Sequence, residues 1–203
     1  MHARVSVVTA DPANLGAVVD YVNEVRPSIE DEVGCTGMSL QADADVGLAV
    51  VMSFWVSGDA MHESEPRVAP RREEVLERGA ATMSVERYRL ADFVRSHPAT
   101  GGAGVRLTRL ETEPANLEAA VTAYEDLVLP WLTEADGFCS AMLLVDRRTG
   151  RGLEQNVWRD AAALADSRGP AAVARADAVA AADVAVRSLE EHRLYFSTVV
   201  PED

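Results

Sequence analysis

The pentapeptide DPANL at residues 11–15 recurs as EPANL at residues 113–117, and this repetition decides the fold. The two copies begin 102 residues apart (113 − 11). Other residues recur in the same order at nearly the same spacing. Matches at 103 or 104 residues are Gly34 with Gly137, Trp55 with Trp158, and Glu86 with Glu190. An ordered series of this kind indicates an internal duplication, so we predict two copies of one structural unit.

The predicted repeats cover residues 1–96 and 104–203, and residues 97–103 form a linker between them. The linker reads HPATGGA, and its Pro, Gly and small residues are typical of a connection. Within each repeat, short β-rich runs and helical patterns follow the order β-α-β-β-α-β. This order predicts a ferredoxin-like unit in each half of the chain.

The repeated pentapeptide also predicts where the first helix of each unit begins. Asp11 is a suitable N-cap, and Pro12 suits the first helical turn because its fixed backbone angle is already helical. Pro114 occupies the same place in the second copy. We therefore expect Pro12 and Pro114 each to lie in the first turn of a helix that follows a strand.

Two such units predict a particular fold class. An antiparallel sheet with both helices on one face leaves its other face apolar and uncovered. We predict an α+β protein in which two ferredoxin-like βαββαβ repeats pack sheet to sheet, as a fused dimeric α+β barrel. The chain would then be a pseudo-dimer by itself, and further association through its outer edges stays open.

Composition excludes several function classes. The net charge of −14 repels a phosphate backbone, so we expect no nucleic-acid partner. All 19 basic residues are Arg, which excludes a Schiff-base or P-loop lysine and is typical of a GC-rich bacterial genome. The sequence has no long apolar run and no basic-then-apolar leader, so we expect no membrane partner and a cytoplasmic location. Cys35 and Cys139 are predicted to be small buried residues.

The end of the third strand carries a family resemblance. It reads FWVSGDA at residues 54–60 and VWRDAAA at residues 157–163. A Trp that closes this strand, followed by a helix-capping Ser or Asp, resembles the dimeric α+β barrel superfamily, and most closely the antibiotic biosynthesis monooxygenases. The resemblance implies a pocket between sheet and helices, and an activity among cofactor-independent oxygenation of aromatic polyketides, haem degradation and lactone isomerisation.

The resemblance transfers to some residues and fails at others. Trp55 and Trp158 match the Trp that lines the pocket in oxygenase members, whereas strand one lacks the family's Asn. Haem-degrading members carry a His about ten residues after that Trp. Glu65 and Arg168 stand there in this sequence, which argues against haem degradation.

Repeat 2 carries the polar candidates. Strand residues alternate in facing, so Glu154, Asn156 and Trp158 share one face, and Trp158 would form a flat wall beside the hydrogen-bonding Asn156. His192 lies on the last strand and is a candidate general base. The alternatives are that the Trp side chains fill the core, that Glu154 and Asn156 are solvated, and that His192 only bonds to a neighbour.

Three function hypotheses follow. The first is a cofactor-independent, monooxygenase-like enzyme that acts on an aromatic or polyketide-like substrate in repeat 2. The second is a non-catalytic binder of a small apolar or aromatic ligand, with haem kept as an alternative. The third is a structural or interaction protein whose pockets are filled by side chains. We expect no metal, and no cofactor for the first hypothesis.

Overall fold

The computed structural model describes residues 1–199, and it shows the predicted element order twice. The first repeat contains β1 (His2–Thr9), α1 (Leu15–Glu30), β2 (Cys35–Asp43), β3 (Leu48–Trp55), α2 (Gly58–Glu63), α3 (Glu65–Gly79) and β4 (Thr82–Arg95). The second contains β5 (Gly104–Glu111), α4 (Leu117–Ala123), α5 (Leu129–Glu134), β6 (Phe138–Asp146), β7 (Arg151–Trp158), α6 (Ala161–Asp166), α7 (Arg168–Ala182) and β8 (Ala185–Ser197). Each repeat therefore follows the β-α-β-β-α-β order.

Strand pairing confirms the predicted fold class. Hydrogen-bonded neighbours follow the order β1-β3-β2-β8-β5-β7-β6-β4, and the series closes into a barrel. Within the first repeat β3 pairs antiparallel with β1 and β2, and within the second β7 pairs antiparallel with β5 and β6. The protein is an α+β fold of two ferredoxin-like repeats with the strand order of a fused dimeric α+β barrel.

The compact units of the structure do not coincide with the sequence repeats. Unit 1 comprises Met1–Arg89 together with the chain from Leu194 onward, and unit 2 comprises Leu90–Arg193. The difference arises because β4 and β8 are long, with 14 and 13 residues, so the end of each strand belongs to the other repeat's unit. In unit 1, for example, the Thr198 amide donates to the Met38 carbonyl at 2.8 Å.

The repeated pentapeptide begins a helix in both copies, as predicted. Pro12 opens a 3₁₀ turn, Pro12–Asn14, that leads directly into α1, and the Asp11 carboxylate accepts from the Ala13 amide at 2.9 Å. Pro114 opens the matching turn, Pro114–Asn116, before α4. Glu113 replaces the capping Asp there and makes no side-chain cap.

The first helix is continuous in repeat 1 and interrupted in repeat 2. A π-helical turn, Tyr124–Val128, separates α4 from α5. Repeat spacing changes at the same place, from 102 residues at Leu117 to 103 residues at Pro130, measured from Leu15 and Pro27 (117 − 15 and 130 − 27). A π turn accommodates one additional residue without ending the helix, and such turns are frequent at functional sites. The extra residue of repeat 2 therefore lies in this turn.

A buried arginine joins strand one to the helices in each unit. Arg4 is 2% exposed and donates to the Met61 carbonyl and to Ser64 Oγ, the latter at 3.1 Å. Arg106 is 1% exposed and makes the matching bonds, to the Leu164 carbonyl at 3.0 Å and to Ser167 Oγ at 2.9 Å. In each repeat these bonds fix the junction between a six-residue helix and the 15-residue helix that follows it over the sheet. Across residues 1–199, no helix is long and apolar enough to cross a membrane.

Candidate functional site

A cavity lies in unit 2 between the strands and the helices of repeat 2. Its empty space, including the opening to solvent, is about 720 Å³. Most of its walls are apolar. The polar and aromatic side chains that line it are Glu111, Thr112, Tyr124, Trp131, Glu154, Asn156 and Arg175. An apolar cavity with a few convergent polar groups is the usual form of a small-molecule site.

Glu154 and Asn156 project into this cavity from β7. Their positions two residues apart put them on one face of the strand, and both are buried. Asn156 Nδ2 donates to Glu154 Oε1 at 2.8 Å. Asn156 Oδ1 is buried and has no hydrogen-bond partner among residues 1–199. A buried polar atom of this kind needs water or a ligand to satisfy it.

Tyr124 is the first residue of the π turn and lines the same cavity. Its hydroxyl is buried and has no hydrogen-bond partner in the described part of the chain. Burial raises the pKa of Tyr124 well above its ordinary value, and the nearby carboxylates of Glu154 and Asp92 raise it further. The side chain is therefore a neutral hydrogen-bond donor at physiological pH, and it lines the same cavity as Glu154 and Asn156.

The aromatic wall of the cavity is Trp131, whereas we expected Trp158 to form it. The Trp158 side chain is fully buried in the core and packs against Trp131, with ring centroids 6.0 Å apart, and against Phe138, at 5.8 Å. Trp158 Nε1 is buried without a hydrogen-bond partner in residues 1–199. Trp131 of α5 therefore lines the cavity, and Trp158 packs behind it in the core.

Arg175 brings positive charge to the cavity from α7. Its side chain is half-buried, and burial lowers the pKa of Arg175, while the carboxylate of Glu154 acts in the opposite direction. Arg175 has no hydrogen bond or ion pair to the residues that the structure describes. The cavity thus holds a carboxylate, an amide, a phenol and a guanidinium.

His192 does not face this cavity, which corrects our expectation that it works together with Asn156. Residues directly opposite each other in neighbouring strands share a face of the sheet. Arg106 pairs with Asn156 on one side and Glu191 on the other, so these residues share one face. Val105 pairs with His192, which places His192 on the opposite face. There the His192 Nε2 lies 3.3 Å from Glu190 Oε2, and no single cavity can use both His192 and Asn156.

Trp55 has no cavity role of the kind we predicted. It is fully buried in the core of unit 1, beneath the Arg4 guanidinium at 5.3 Å from the ring centroid. Its Nε1 donates to Ser53 Oγ at 3.0 Å, so the indole nitrogen is satisfied inside the protein. The equivalent cavity of unit 1, which Val22, Val51 and Val75 line, has about 340 Å³ of empty space, and Trp55 is absent from the residues that line it.

Two smaller side chains on the second long helix open space in the cavity of unit 2 relative to the equivalent cavity of unit 1. Ala171 and Ala178 line it on α7. The residues 103 positions earlier are Val68 and Val75, both buried in the core of unit 1. Replacing valine by alanine removes two methyl groups at each position, and a well-packed interior does not collapse fully around such a loss. The smaller residues of repeat 2 therefore leave space that repeat 1 fills.

Metal or thiol chemistry receives no support from the arrangement of side chains. Among residues 1–199 there is no group of three or more His, Cys, Asp or Glu residues that could hold a metal ion. Cys35 and Cys139 are free thiols, and burial raises the pKa of both, which disfavours the reactive thiolate.

Three of the lining residues were missed by reasoning from sequence. Tyr124 follows the apolar periodicity of its helix, Trp131 follows a proline near a helix end, and Arg175 stands in an alanine-rich helix. A signal was available: the repeat spacing changes by one residue between Leu117 and Pro130, which marks an insertion into a helix that otherwise aligns. Insertions of this kind are accommodated by π turns.

Comparisons with known proteins place the chain in a family and a fold. No protein-family model matches it. The "Uncharacterized protein Rv2557" of Mycobacterium tuberculosis is 33% identical over 154 residues, which span 75% of this chain and 69% of that protein. The "Uncharacterized protein Rv2558" of the same organism is 36% identical over 147 residues, spanning 72% of this chain and 62% of that protein.

Solved structures agree on the fold at low sequence identity. An anthrone oxidase-like protein superposes with a TM-score of 0.72 at 13% identity, covering 97% of this chain and 92% of that one. A monooxygenase-like protein from Listeria innocua gives 0.54 at 10% identity, with 94% and 92% covered. The haem-degrading enzyme LmHde from Listeria monocytogenes gives 0.53 at 11% identity, with 94% and 98% covered. The chain therefore belongs to the family of the mycobacterial protein Rv2557, and its fold is that of the antibiotic biosynthesis monooxygenase-like dimeric α+β barrels.

Proposed function

We propose that the cavity of unit 2 binds a small aromatic molecule and oxygenates it without a cofactor. The observation that carries this proposal is the convergence of Glu154, Asn156 and Tyr124 on one largely apolar cavity. Two of these side chains keep buried polar atoms, Asn156 Oδ1 and the Tyr124 hydroxyl, without a partner among residues 1–199. A ligand with oxygen substituents would satisfy these atoms, and the Trp131 indole would contact its ring.

The proposed reaction uses the substrate as its own electron source. Glu154 takes a proton from an acidic C–H₂ group next to the aromatic system, and Tyr124 donates a hydrogen bond to the oxygen onto which the resulting negative charge delocalises. The carbanion gives its electron pair to dioxygen, forming a C–O bond, and protonation gives a hydroperoxide. Loss of the remaining C–H proton, with cleavage of the O–O bond, yields a ketone and water. The balance is one CH₂ and one O₂ converted into one C=O and one H₂O.

Two alternatives have weaker support. Haem binding would need an axial ligand, and the described lining residues include no His, Cys or Met. Tyrosine binds haem iron as a phenolate, and burial disfavours this form at Tyr124 because it raises the pKa of the side chain. A purely structural protein with filled pockets is disfavoured because the unit 2 cavity is not filled by side chains. A binder without turnover stays the main competitor, because it needs only the cavity.

The experiment that tests the proposal is oxygen uptake with anthrone, a three-ring compound with one acidic CH₂ group. We expect one O₂ consumed for each anthraquinone formed. Glu154→Gln should lower kcat by at least about 100-fold, since a general base contributes roughly 10²–10⁴-fold. The matched control is Glu118→Gln, which changes an exposed carboxylate on α4 and should leave the rate unchanged.

Three results would separate the alternatives. Anthrone binding, measured by quenching of the tryptophan fluorescence, without oxygen uptake would support the binder and reject the enzyme. Equal rates for the Glu154→Gln and wild-type proteins would reject Glu154 as the base. A shift of the haemin absorption band on mixing with the protein would favour the haem alternative.

A further inference from the structure

Arg175 has lost the partner that its counterpart keeps. In unit 1 the equivalent residue, Arg72, forms an ion pair with Glu65. The position of Glu65 is occupied in unit 2 by Arg168, which pairs instead with Glu191 at 2.5 Å. Repeat 2 therefore lacks a carboxylate at the position of α7 that matches Glu65, and no ion pair joins Arg175 to a carboxylate among residues 1–199.

The free guanidinium of Arg175 lines the cavity, where it can bind an anion through hydrogen bonds as well as through charge attraction. The cavity is largely apolar, so an ion pair formed inside it is screened less than one at the surface. Glu154 influences Arg175 electrostatically but hydrogen-bonds to Asn156 and forms no ion pair with Arg175 among residues 1–199. The guanidinium thus remains available, with its fork of N–H donors, to a group that enters the cavity.

We infer that the ligand of this cavity is an aromatic acid whose carboxylate is bound by Arg175. The inference rests on the proposed function, since it concerns the same cavity and narrows the class of molecule that it takes. A carboxylate fits better than a phenol because it is ionised at neutral pH and matches the guanidinium fork with two parallel hydrogen bonds. The Glu154 carboxylate lies on β7 and repels a second anion. The acid would therefore bind with its carboxylate toward α7 and its ring toward the Trp131 indole.

The test compares two probes of nearly equal shape by calorimetry, 2-naphthoate and neutral 2-naphthalenemethanol. Wild-type protein should prefer the acid. Arg175→Gln should weaken naphthoate binding by about 10- to 100-fold, the range expected for a lost charge-assisted hydrogen bond, and should change binding of the alcohol by less than about twofold. Arg175→Lys should fall between, because it keeps the charge and loses the fork.

The matched control is Arg72→Gln in unit 1, which should leave the affinity for both probes unchanged. Melting temperatures of all variants report whether each one folds. If Arg175→Gln lowers the affinity for both probes equally, or changes neither affinity, Arg175 does not bind the carboxylate. The proposed aromatic site would be unaffected by that result. Failure of both probes to bind the wild-type protein would overturn the inference and the proposed function together.

Discussion

The two repeats hold the same buried arginine with opposite arrangements of charge. In repeat 1 the carboxylate lies on the helix, as Glu65 of α3, and contacts Arg4 at 3.0 Å. In repeat 2 the carboxylate lies on the strand, as Glu191 of β8, and contacts Arg106 at 2.9 Å. A buried guanidinium requires a partner, but either element can supply it, so duplication left this position free to change.

The second arginine that pairs with each carboxylate has also changed element, from the strand in repeat 1 to the helix in repeat 2. Arg87 stands on β4 opposite Glu65, at 3.8 Å, and Arg168 stands on α7 opposite Glu191, at 2.5 Å. Both repeats therefore keep one ion pair between helix and strand, and only its direction differs. The consequence is local: the reversed pair leaves Arg175, at the cavity of unit 2, without an ion-pair partner among residues 1–199. A change that is neutral for folding can in this way create a charged binding position.

The strongest test of the equivalence is removal of each buried arginine. Arg106→Met should lower the free energy of unfolding by about 3 kcal/mol, since it removes three hydrogen bonds, to Ser167, to the Leu164 carbonyl and to Glu191, each contributing about 1 kcal/mol. Arg4→Met should have a similar effect, because burial is the same and lowers the pKa of Arg4 to about 10. Urea unfolding measures both. A difference above about 2 kcal/mol between the two variants would show that one arginine has only a peripheral role.

The difference in cavity size can be tested by exchanging the residues that cause it. Val75→Ala in unit 1 should lower the free energy of unfolding by about 2 kcal/mol, because the two lost methyl groups leave a void in a packed core. Ala178→Val in unit 2 should reduce binding of 2-naphthoate, because the added methyl groups occupy the cavity. Unfolding curves and calorimetry measure the two effects. Unchanged probe binding by Ala178→Val would place the ligand elsewhere.

The charge reversal itself can be undone. The double variant Arg168→Glu with Glu191→Arg gives repeat 2 the arrangement of repeat 1, so the new carboxylate on α7 should hold both Arg106 and Arg175. We expect the free energy of unfolding to stay within about 1 kcal/mol of wild type, since one ion pair replaces another. Affinity for 2-naphthoate should fall by about tenfold, or 1.4 kcal/mol, because Arg175 is then neutralised. Retention of full affinity would mean that Arg175 is not the anion-binding group.

The sequence predicts the fold well because the fold depends on features that recur. The pentapeptide, the third-strand Trp and the helix-starting prolines recur at spacings of 102 or 103 residues, and each reports one local element. Glu154 and Asn156 were placed correctly on one face of β7 because side chains alternate along a single strand. These inferences needed no knowledge of how distant parts of the chain meet.

The errors concern residues whose position depends on distant pairing or on irregular backbone. His192 lies on β8, which reaches β7 only through β5, and the register of β5 with both strands decides which face His192 takes. Tyr124 and Trp131 depend on the π turn, which rotates the following helix relative to an α-helical projection. Trp158 and Trp55 match the family's Trp in sequence, but the core encloses them. Register and helix irregularity are tertiary properties, so periodicity alone does not give them.

The smallest expected effect is the pH dependence of the ion pair in unit 2. Hydrogen bonding to Arg168, followed by that to Arg106, holds the pKa of Glu191 below its ordinary value of 4.5 despite burial. Because the pKa is lower in the folded state, the stabilisation is fully present above about pH 4.5 and is lost as the pH falls through the folded pKa. Glu191→Gln should therefore lower the free energy of unfolding by about 1 kcal/mol at pH 6, and by less at pH 3. Urea unfolding at both values measures this, with Glu118→Gln as the exposed control. A difference that grows toward low pH would contradict the assignment, because a protonated Glu191 can no longer attract Arg168 and Arg106.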